Sequence, residues 1–297
     1  MLRSPLRHSP WLSAQSGADV FLKLETLQPT FSFKIRGALN AVLRLAETSG
    51  DIPPLVTASA GNHGRALAHA AREAGLRLTV YVPETAPAIK LEAIRQAGAE
   101  LIPCADYDDA ERRAKEHGAA GGSLFVSPYS HPDVIAGAGT IALETLDERP
   151  DIDTFVVPIG GGGLAAGIGI VARDSDASVV GVEVEASCPF TQSLAAGRIV
   201  RIDVGPTLAD GLAGNMDPDT ITFDLVRRYV DRIAVVAEGQ LRAAVGAVVR
   251  EERLIVEGAA ATGVAAVLAG ALGLEGRRVA VILSGANIDP EKLKELL

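Results

Sequence analysis

Lys34 stands in the run Thr30-Phe31-Ser32-Phe33-Lys34-Ile35-Arg36-Gly37-Ala38, and it is one of only six lysines in 297 residues. An amine beside an aromatic ring at the head of a helix is a candidate Schiff-base nucleophile. Desolvation lowers the pKa of such an amine and frees its neutral form to attack an aldehyde. Taken alone, the residue reads as a surface lysine at a helix start. Three further runs supply what an aldehyde cofactor would need: Ser59-Ala60-Gly61-Asn62-His63-Gly64, Gly160-Gly161-Gly162-Gly163-Leu164 and Ser284-Gly285-Ala286-Asn287.

The tetraglycine follows the apolar run Phe155-Val156-Val157-Pro158 and opens an apolar helix. Glycines let backbone N–H groups converge on an anion at a helix N-terminus, and phosphate is the natural guest. No Gly-Lys-Ser/Thr follows, which disfavours a Walker loop and ATP. A dinucleotide fingerprint stays open on these residues, because Gly161, Gly163 and Ala166 fit its spacing and Glu183 ends the next strand. In Ser59–Gly64, the backbone amides and the Ser59 hydroxyl could hold a carboxylate, and Asn62 offers an amide donor to a phenolate oxygen. Isolated from the rest, Asn62 reads as a helix cap and His63 as a solvent-facing first-turn residue. Ser284 closes an apolar strand, where a neutral hydroxyl could meet a pyridine nitrogen.

The elements that must position these groups alternate in type. Strands are predicted at Leu55–Ala58, Leu76–Val82, Glu100–Pro103 and Leu124–Val126, with helices at Gly64–Ala74, Ala88–Ala97 and Tyr107–His117 between them. A second set comprises strands Thr154–Pro158, Ser178–Val184, Ile233–Val236 and Arg278–Leu283, with helices Leu164–Arg173, Leu241–Glu252 and Gly258–Leu268. Val20–Leu24 reads as a further strand of that second set. The expected fold is α/β: two lobes with open, mostly parallel twisted sheets flanked by helices. Residues 1–45 and 130–297 would form a large lobe into which 46–129 are inserted as a small one.

A net charge of −9 argues against nucleic acid or an anionic membrane as partner. Two cysteines, Cys104 and Cys188, are too few for a disulfide framework and lack metal-ligand spacing. Met1–Trp11 has no signal-peptide core, and Ala259–Leu274 is too short and small-sided to span a bilayer. A cytoplasmic location is the expectation.

Taken in order, these motifs identify a resemblance. The chain resembles the fold type II pyridoxal-phosphate enzymes, with tryptophan synthase β-like architecture, in the threonine/serine dehydratase and serine racemase branch. The resemblance runs from Arg3-Ser4-Pro5-Leu6 through Lys23–Thr30, Ser59–His63, Pro83–Lys90, Val134–Thr140, the tetraglycine, Leu208–Gly211 and Val256–Ala259 to Leu283–Ile288. It implies a pyridoxal 5′-phosphate cofactor carried by Lys34, stacked by Phe33, bonded by Asn62 at O3′, held at its phosphate by Gly160–Gly163 and Leu164, and met by Ser284 at N1. It implies that Ser59, Ala60, Gly61 and His63 line the carboxylate of a small amino-acid substrate, with Asp210, Gly211 and Glu257 nearby. A homodimer is implied as well.

Lys34, once freed by substrate, can take the Cα proton, and the cofactor ring disperses the charge. A serine at N1 leaves the pyridine largely unprotonated, which favours expulsion of a β-hydroxyl, followed by hydrolysis to a 2-oxo acid and ammonia. In the racemases of this branch a serine follows the position of Ser59 and protonates the opposite face of Cα. Here that residue is Ala60, which favours a lyase. L-Threonine and L-serine are the leading substrates. Dehydration of hydroxyaspartate or phenylserine, serine racemisation, β-replacement and a non-catalytic amino-acid-binding protein are the alternatives.

Relatives also bind a divalent cation through a Glu, a carbonyl four residues on and an Asp two further. Glu183 and Ser187 match, but the third position is Pro189, so Glu183 is a doubtful metal ligand. The N-terminal helix of relatives is expected to be short or missing. With the chain ending soon after Ser284, no C-terminal regulatory domain is expected.

Overall fold

The runs Phe155-Val156-Val157 and Val279-Ala280-Val281-Ile282-Leu283 are apolar at every position, a pattern that suits strands covered on both faces. In a computed structural model, which describes residues 1–48, 50 and 52–297, both runs are inner strands. The strands are β1 (Leu6–His8), β2 (Asp19–Leu24), β3 (Leu55–Ala58), β4 (Leu78–Pro83), β5 (Glu100–Cys104), β6 (Leu124–Phe125), β7 (Thr154–Pro158), β8 (Ser178–Val184), β9 (Arg232–Val236) and β10 (Arg278–Leu283). The helices are α1 (Pro10–Ser16), α2 (Lys34–Thr48), α3 (Asn62–Glu73), α4 (Ala88–Gln96), α5 (Tyr107–Ala119), α6 (Pro132–Glu148), α7 (Gly163–Arg173), α8 (Pro189–Ala196), α9 (Thr222–Tyr229), α10 (Glu238–Ala247), α11 (Gly258–Leu268) and α12 (Pro290–Lys294).

One sheet has the order β1-β2-β10-β7-β8-β9 and the other β5-β4-β3-β6. All pairings are parallel except β1 with β2. Side chains alternate between faces as the pleat requires. Val20, Leu22, Val156, Val279 and Val281 face α10 and α11, while Phe21, Phe155, Val157, Ala280 and Ile282 face α6 and α7. The smaller sheet buries Leu55, Leu78 and Val80 against α2 and α3, and Val56 and Tyr81 against α5.

Helix α6 lies between α2 and α7 and meets both through glycine. A Cβ at Gly137 would stand 2.5 Å from the carbonyl oxygen of Arg36, and one at Gly37 would stand 2.7 Å from that of Val134. On the other side, a Cβ at Gly167 would stand 2.4 Å from the carbonyl oxygen of Ile135. Next to the first crossing, the buried Arg36 guanidinium binds Glu25 at 2.8 Å and Glu144 at 2.7 Å, and Lys23 binds Glu144 at 2.9 Å. Ser4 donates to the same Glu25 carboxylate.

The expected α/β architecture is present, and β7, β8, β10 and α11 have the predicted limits. Sequence reading leaves five described helices unassigned: α1, α6, α8, α9 and α12. Helix α6 carries glycines where helix propensity is poor but backbones touch. Removing one member of a buried ionic cluster leaves its partners desolvated and unpaired. Arg36→Met should therefore lower stability by about 3–5 kcal/mol in urea unfolding; a loss no larger than that of a surface arginine would contradict the role given to this cluster.

Candidate active site

The predicted motifs follow the carboxyl ends of three parallel strands: β7 leads into Gly160–Gly163, β10 into Ser284 and β3 into Ser59. Open α/β sheets gather ligand groups at such ends. The segment before Lys34 is stitched to the segment after β10. Phe33 N–H donates to the Ser284 carbonyl at 2.9 Å, Ala286 N–H donates to the Phe31 carbonyl at 2.9 Å, and Ser32 bridges Gly285. Ser284, only 3% exposed, is thereby held beside Phe33. Phe31 adopts a left-handed turn at φ 56°, a conformation that costs a non-glycine residue about 1–2 kcal/mol. Arg65 stacks on its ring, 5.1 Å from the centroid.

Lys34 opens α2. Its Nζ donates to the Pro128 carbonyl at 2.7 Å and lies 5.2 Å from the Phe33 ring centre. Burial lowers its pKa to about 8, against the opposing influence of Glu257. A small cavity lined by Phe33, Lys34, Pro128, Gly163 and Leu164 joins the amine to the tetraglycine. Only glycine fits that loop. Gly162 is left-handed at φ 86°, and its Cβ would meet Phe190 at 2.6 Å; a Cβ on Gly161 would meet the Tyr129 ring at 2.3 Å.

A second cleft, of about 250 Å³, is lined in part by Ala60, Gly61, Asn62, Arg65, Asp210 and Glu257. Asn287 is its hub. Its amide donates to Asn62 Oδ1 at 2.6 Å and to the Thr30 carbonyl at 3.0 Å, and its Oδ1 accepts from Arg65 at 2.9 Å. Asn62 Nδ2 in turn donates to Glu257 Oε1 at 2.7 Å, leaving one amide hydrogen free of that bond. Asn62 therefore does not cap its own helix; the cap position is Gly61. Burial, and secondarily the charge of Asp210, raises the pKa of Glu257 to about 7. Gly211 lies against Glu257, and Asp210 pairs with Lys90 at 2.6 Å.

Two expected substrate contacts are oriented differently. His63 is 2% exposed, not solvent-facing, with Nε2 at 3.4 Å from the Val126 carbonyl. Burial, with Lys34 nearby, lowers its pKa to about 3, so it is a neutral ring and brings no positive charge to a carboxylate. Ser59 Oγ accepts from Gly61 N–H at 3.3 Å and braces its own loop. Glu183 lies under α8, where it accepts from Phe190 N–H at 2.9 Å and Thr191 N–H at 2.8 Å. Asn287, Arg65, Tyr129 and Phe190 received no role from sequence. Of these, only Asn287 sat inside a motif already singled out.

A profile of the pyridoxal-phosphate dependent enzymes matches residues 1–285. The chain belongs to that family. It is 39% identical to an L-threonine ammonia-lyase of Thermotoga maritima over 99% of this chain and 74% of the relative. It is 42% identical to one of Geobacter sulfurreducens over 97% and 72%. A crystal structure of a pyridoxal 5′-phosphate-dependent aspartate racemase superposes with a TM-score of 0.91 at 33% identity, covering 98% of this chain and 92% of that one. The cofactor is pyridoxal 5′-phosphate, and the residues present fit it. They comprise a lysine of lowered pKa, a loop no side chain could enter, an asparagine with an amide hydrogen to offer and a buried neutral alcohol.

The raised carboxyl at Glu257 has a pH signature. Its folded pKa of about 7 exceeds the ordinary 4.5, so between these values the unfolded chain releases a proton that the folded one keeps. Its favourable contribution is full below pH 4.5 and is lost as pH rises to 7. Glu257→Gln should flatten that slope in apoprotein urea unfolding measured across the window; an unaltered slope would assign the titration elsewhere.

Proposed function

We propose that this protein eliminates water from a β-hydroxy-α-amino acid, with L-threonine and L-serine first, and that hydrolysis of the resulting enamine, which takes one water back up, releases ammonia and leaves a 2-oxo acid. The observation that carries the reading is the desolvated Lys34 amine, which shares a cavity with Gly163 of the tetraglycine and the adjoining Leu164. Bound pyridoxal phosphate supplies the electron sink for charge released at Cα. Lys34 would hold the cofactor and, once substrate displaces it, would take the Cα proton. A pKa near 8 leaves a usable fraction of neutral amine at physiological pH. Asn62, its amide fixed by Asn287 and Glu257, would donate to the cofactor's O3′, and Ser284 would meet N1 without imposing a charge. The loop Ser59–Asn62 receives the substrate carboxylate. Ala60, 2% exposed, presents a methyl group where a second proton donor would be needed to invert Cα.

Arg65 favours a second reading of the substrate, an acid such as 3-hydroxyaspartate. It lines the cleft, bonds an amide and an aromatic face, and forms no ion pair with a carboxylate among the described residues. Among the described residues no helix is long and apolar enough to cross a membrane, and the resemblance supports a cytoplasmic homodimer. We also take the two sheets as cores of the two lobes, 1–45 with 130–297 and 46–129. Helix α2 spans that boundary and packs on the smaller sheet.

Keto-acid and ammonia release from threonine, serine, hydroxyaspartate and phenylserine tests the reading; turnover only with an added nucleophile would indicate β-replacement instead. Lys34→Ala should lower kcat by well over about a hundredfold and abolish borohydride-trapped cofactor; appreciable residual turnover would refute its role. Ala60→Ser should introduce racemisation, read by chiral chromatography of recovered substrate, and unchanged enantiomeric purity would count against the argument from Ala60.

A further inference from the structure

Related enzymes hold a divalent cation beside the tetraglycine helix, and Glu183 occupies the position of its leading ligand. The donor set here does not fit a cation. Glu183 is fully buried, and both of its oxygens are engaged by the first turn of α8: Oε1 accepts from Phe190 N–H at 2.9 Å, and Oε2 accepts from Thr191 N–H at 2.8 Å and Thr191 Oγ1 at 2.6 Å. Ser187 stands at the position of the carbonyl ligand, and its hydroxyl is turned to the Gly214 backbone, accepting from the Gly214 N–H at 3.1 Å and donating to the Gly214 carbonyl at 3.3 Å, so the side chain adds no further ligand. Pro189 replaces the second carboxylate, and the described residues contain no cluster of three or more His, Cys, Asp or Glu able to hold a metal. A hard cation needs several oxygen ligands, with carboxylates prominent among them.

The same arrangement gives Glu183 another task. The capping residue of α8, Cys188, makes no side-chain capping bond, and Pro189 has no N–H to offer. Among the described residues, the free amides of the first turn, and the positive end of the helix, are therefore met by the Glu183 carboxylate alone. The residue whose N–H it fixes, Phe190, is fully buried, and its ring stands where a Gly162 side chain would be. Thr222, which also borders Gly162, donates from Oγ1 to the Gly161 carbonyl at 2.8 Å.

We propose that Glu183 is a positioning residue for the phosphate cradle, anchoring α8 so that Phe190 supports Gly162, and that this protein works without a divalent cation. The inference rests on the tetraglycine as the phosphate site. The negative charge that a cation neutralises in relatives is here met by helix amides, and the support of the loop passes through an aromatic ring.

Melting of the apoprotein before and after EDTA, then with added Mg²⁺, Mn²⁺ or Ca²⁺, should give one Tm, and the holoenzyme should keep its kcat in EDTA. A Tm or kcat restored by one of these ions would overturn the proposal. Glu183→Gln should raise the Kd for pyridoxal phosphate about tenfold, the scale of one charge-assisted hydrogen bond. It should also shift the ³¹P resonance of the cofactor that remains bound. Thr191→Val, which removes only the hydroxyl donor, should move both readouts in the same direction by less, and it decides the matter if Glu183→Gln does not fold. Variants that lower Tm yet leave the Kd and the ³¹P shift unmoved would reduce Glu183 to a stabilising role and refute the proposal. A wild type that takes up no pyridoxal phosphate would sink the proposed function, while the apoprotein melting curves would still decide the cation question.

Discussion

The guanidinium of Arg36 is closed off from water and satisfied by two carboxylates from different parts of the chain, Glu25 just after β2 and Glu144 on α6. Such a cluster is intolerant of partial assembly, because each member is costly to bury without the others. Burial works against the Glu144 carboxylate, yet the bonds from Arg36 and Lys23 keep its pKa below the ordinary value. Three elements are tied at one point, and that point lies two residues from Lys34. The amine inherits its position from a polar knot in the core rather than from contacts in the open site.

Around that point the site is assembled from segments distant in sequence. The strand-like pairing of 31–33 with 284–286 sets Ser284 against Phe33. Asn287 then links Thr30, Asn62, Arg65 and Glu257, so that three segments share one amide side chain or its backbone N–H. Because Asn287 donates to its oxygen, Asn62 has a defined orientation, with its N–H groups turned toward Glu257. A residue of this kind does no chemistry, yet it decides which atoms are presented to a ligand.

The chemistry was legible in the sequence wherever residue type alone constrains it. A tetraglycine after an apolar strand, a lysine before Ile-Arg-Gly-Ala and uninterrupted apolar strands left few alternatives, and β7, β8 and β10 have the predicted limits. Direction was not legible. His63 lies within a motif expected to line the substrate but turns into the interior, and the Glu183 carboxylate is taken up by helix amides. Both outcomes depend on neighbours far along the chain, Val126 for His63 and the register of α8 for Glu183. Helix α6 escaped notice for a related reason: its glycines weaken the local helical signal and are explained only by the backbones they touch.

Glycines on the two helices that flank α6 fix the scale of the site. Gly37 lies one helical turn beyond Lys34, and Gly167 lies one turn beyond Gly163. Both abut the same intervening rod with no side chain as a spacer. The span from the amine to the tetraglycine loop is accordingly gauged by two backbone contacts outside the pocket. A single methyl group inserted at either crossing would pry the helices apart and widen that span, although the residues that handle the ligand would be unchanged.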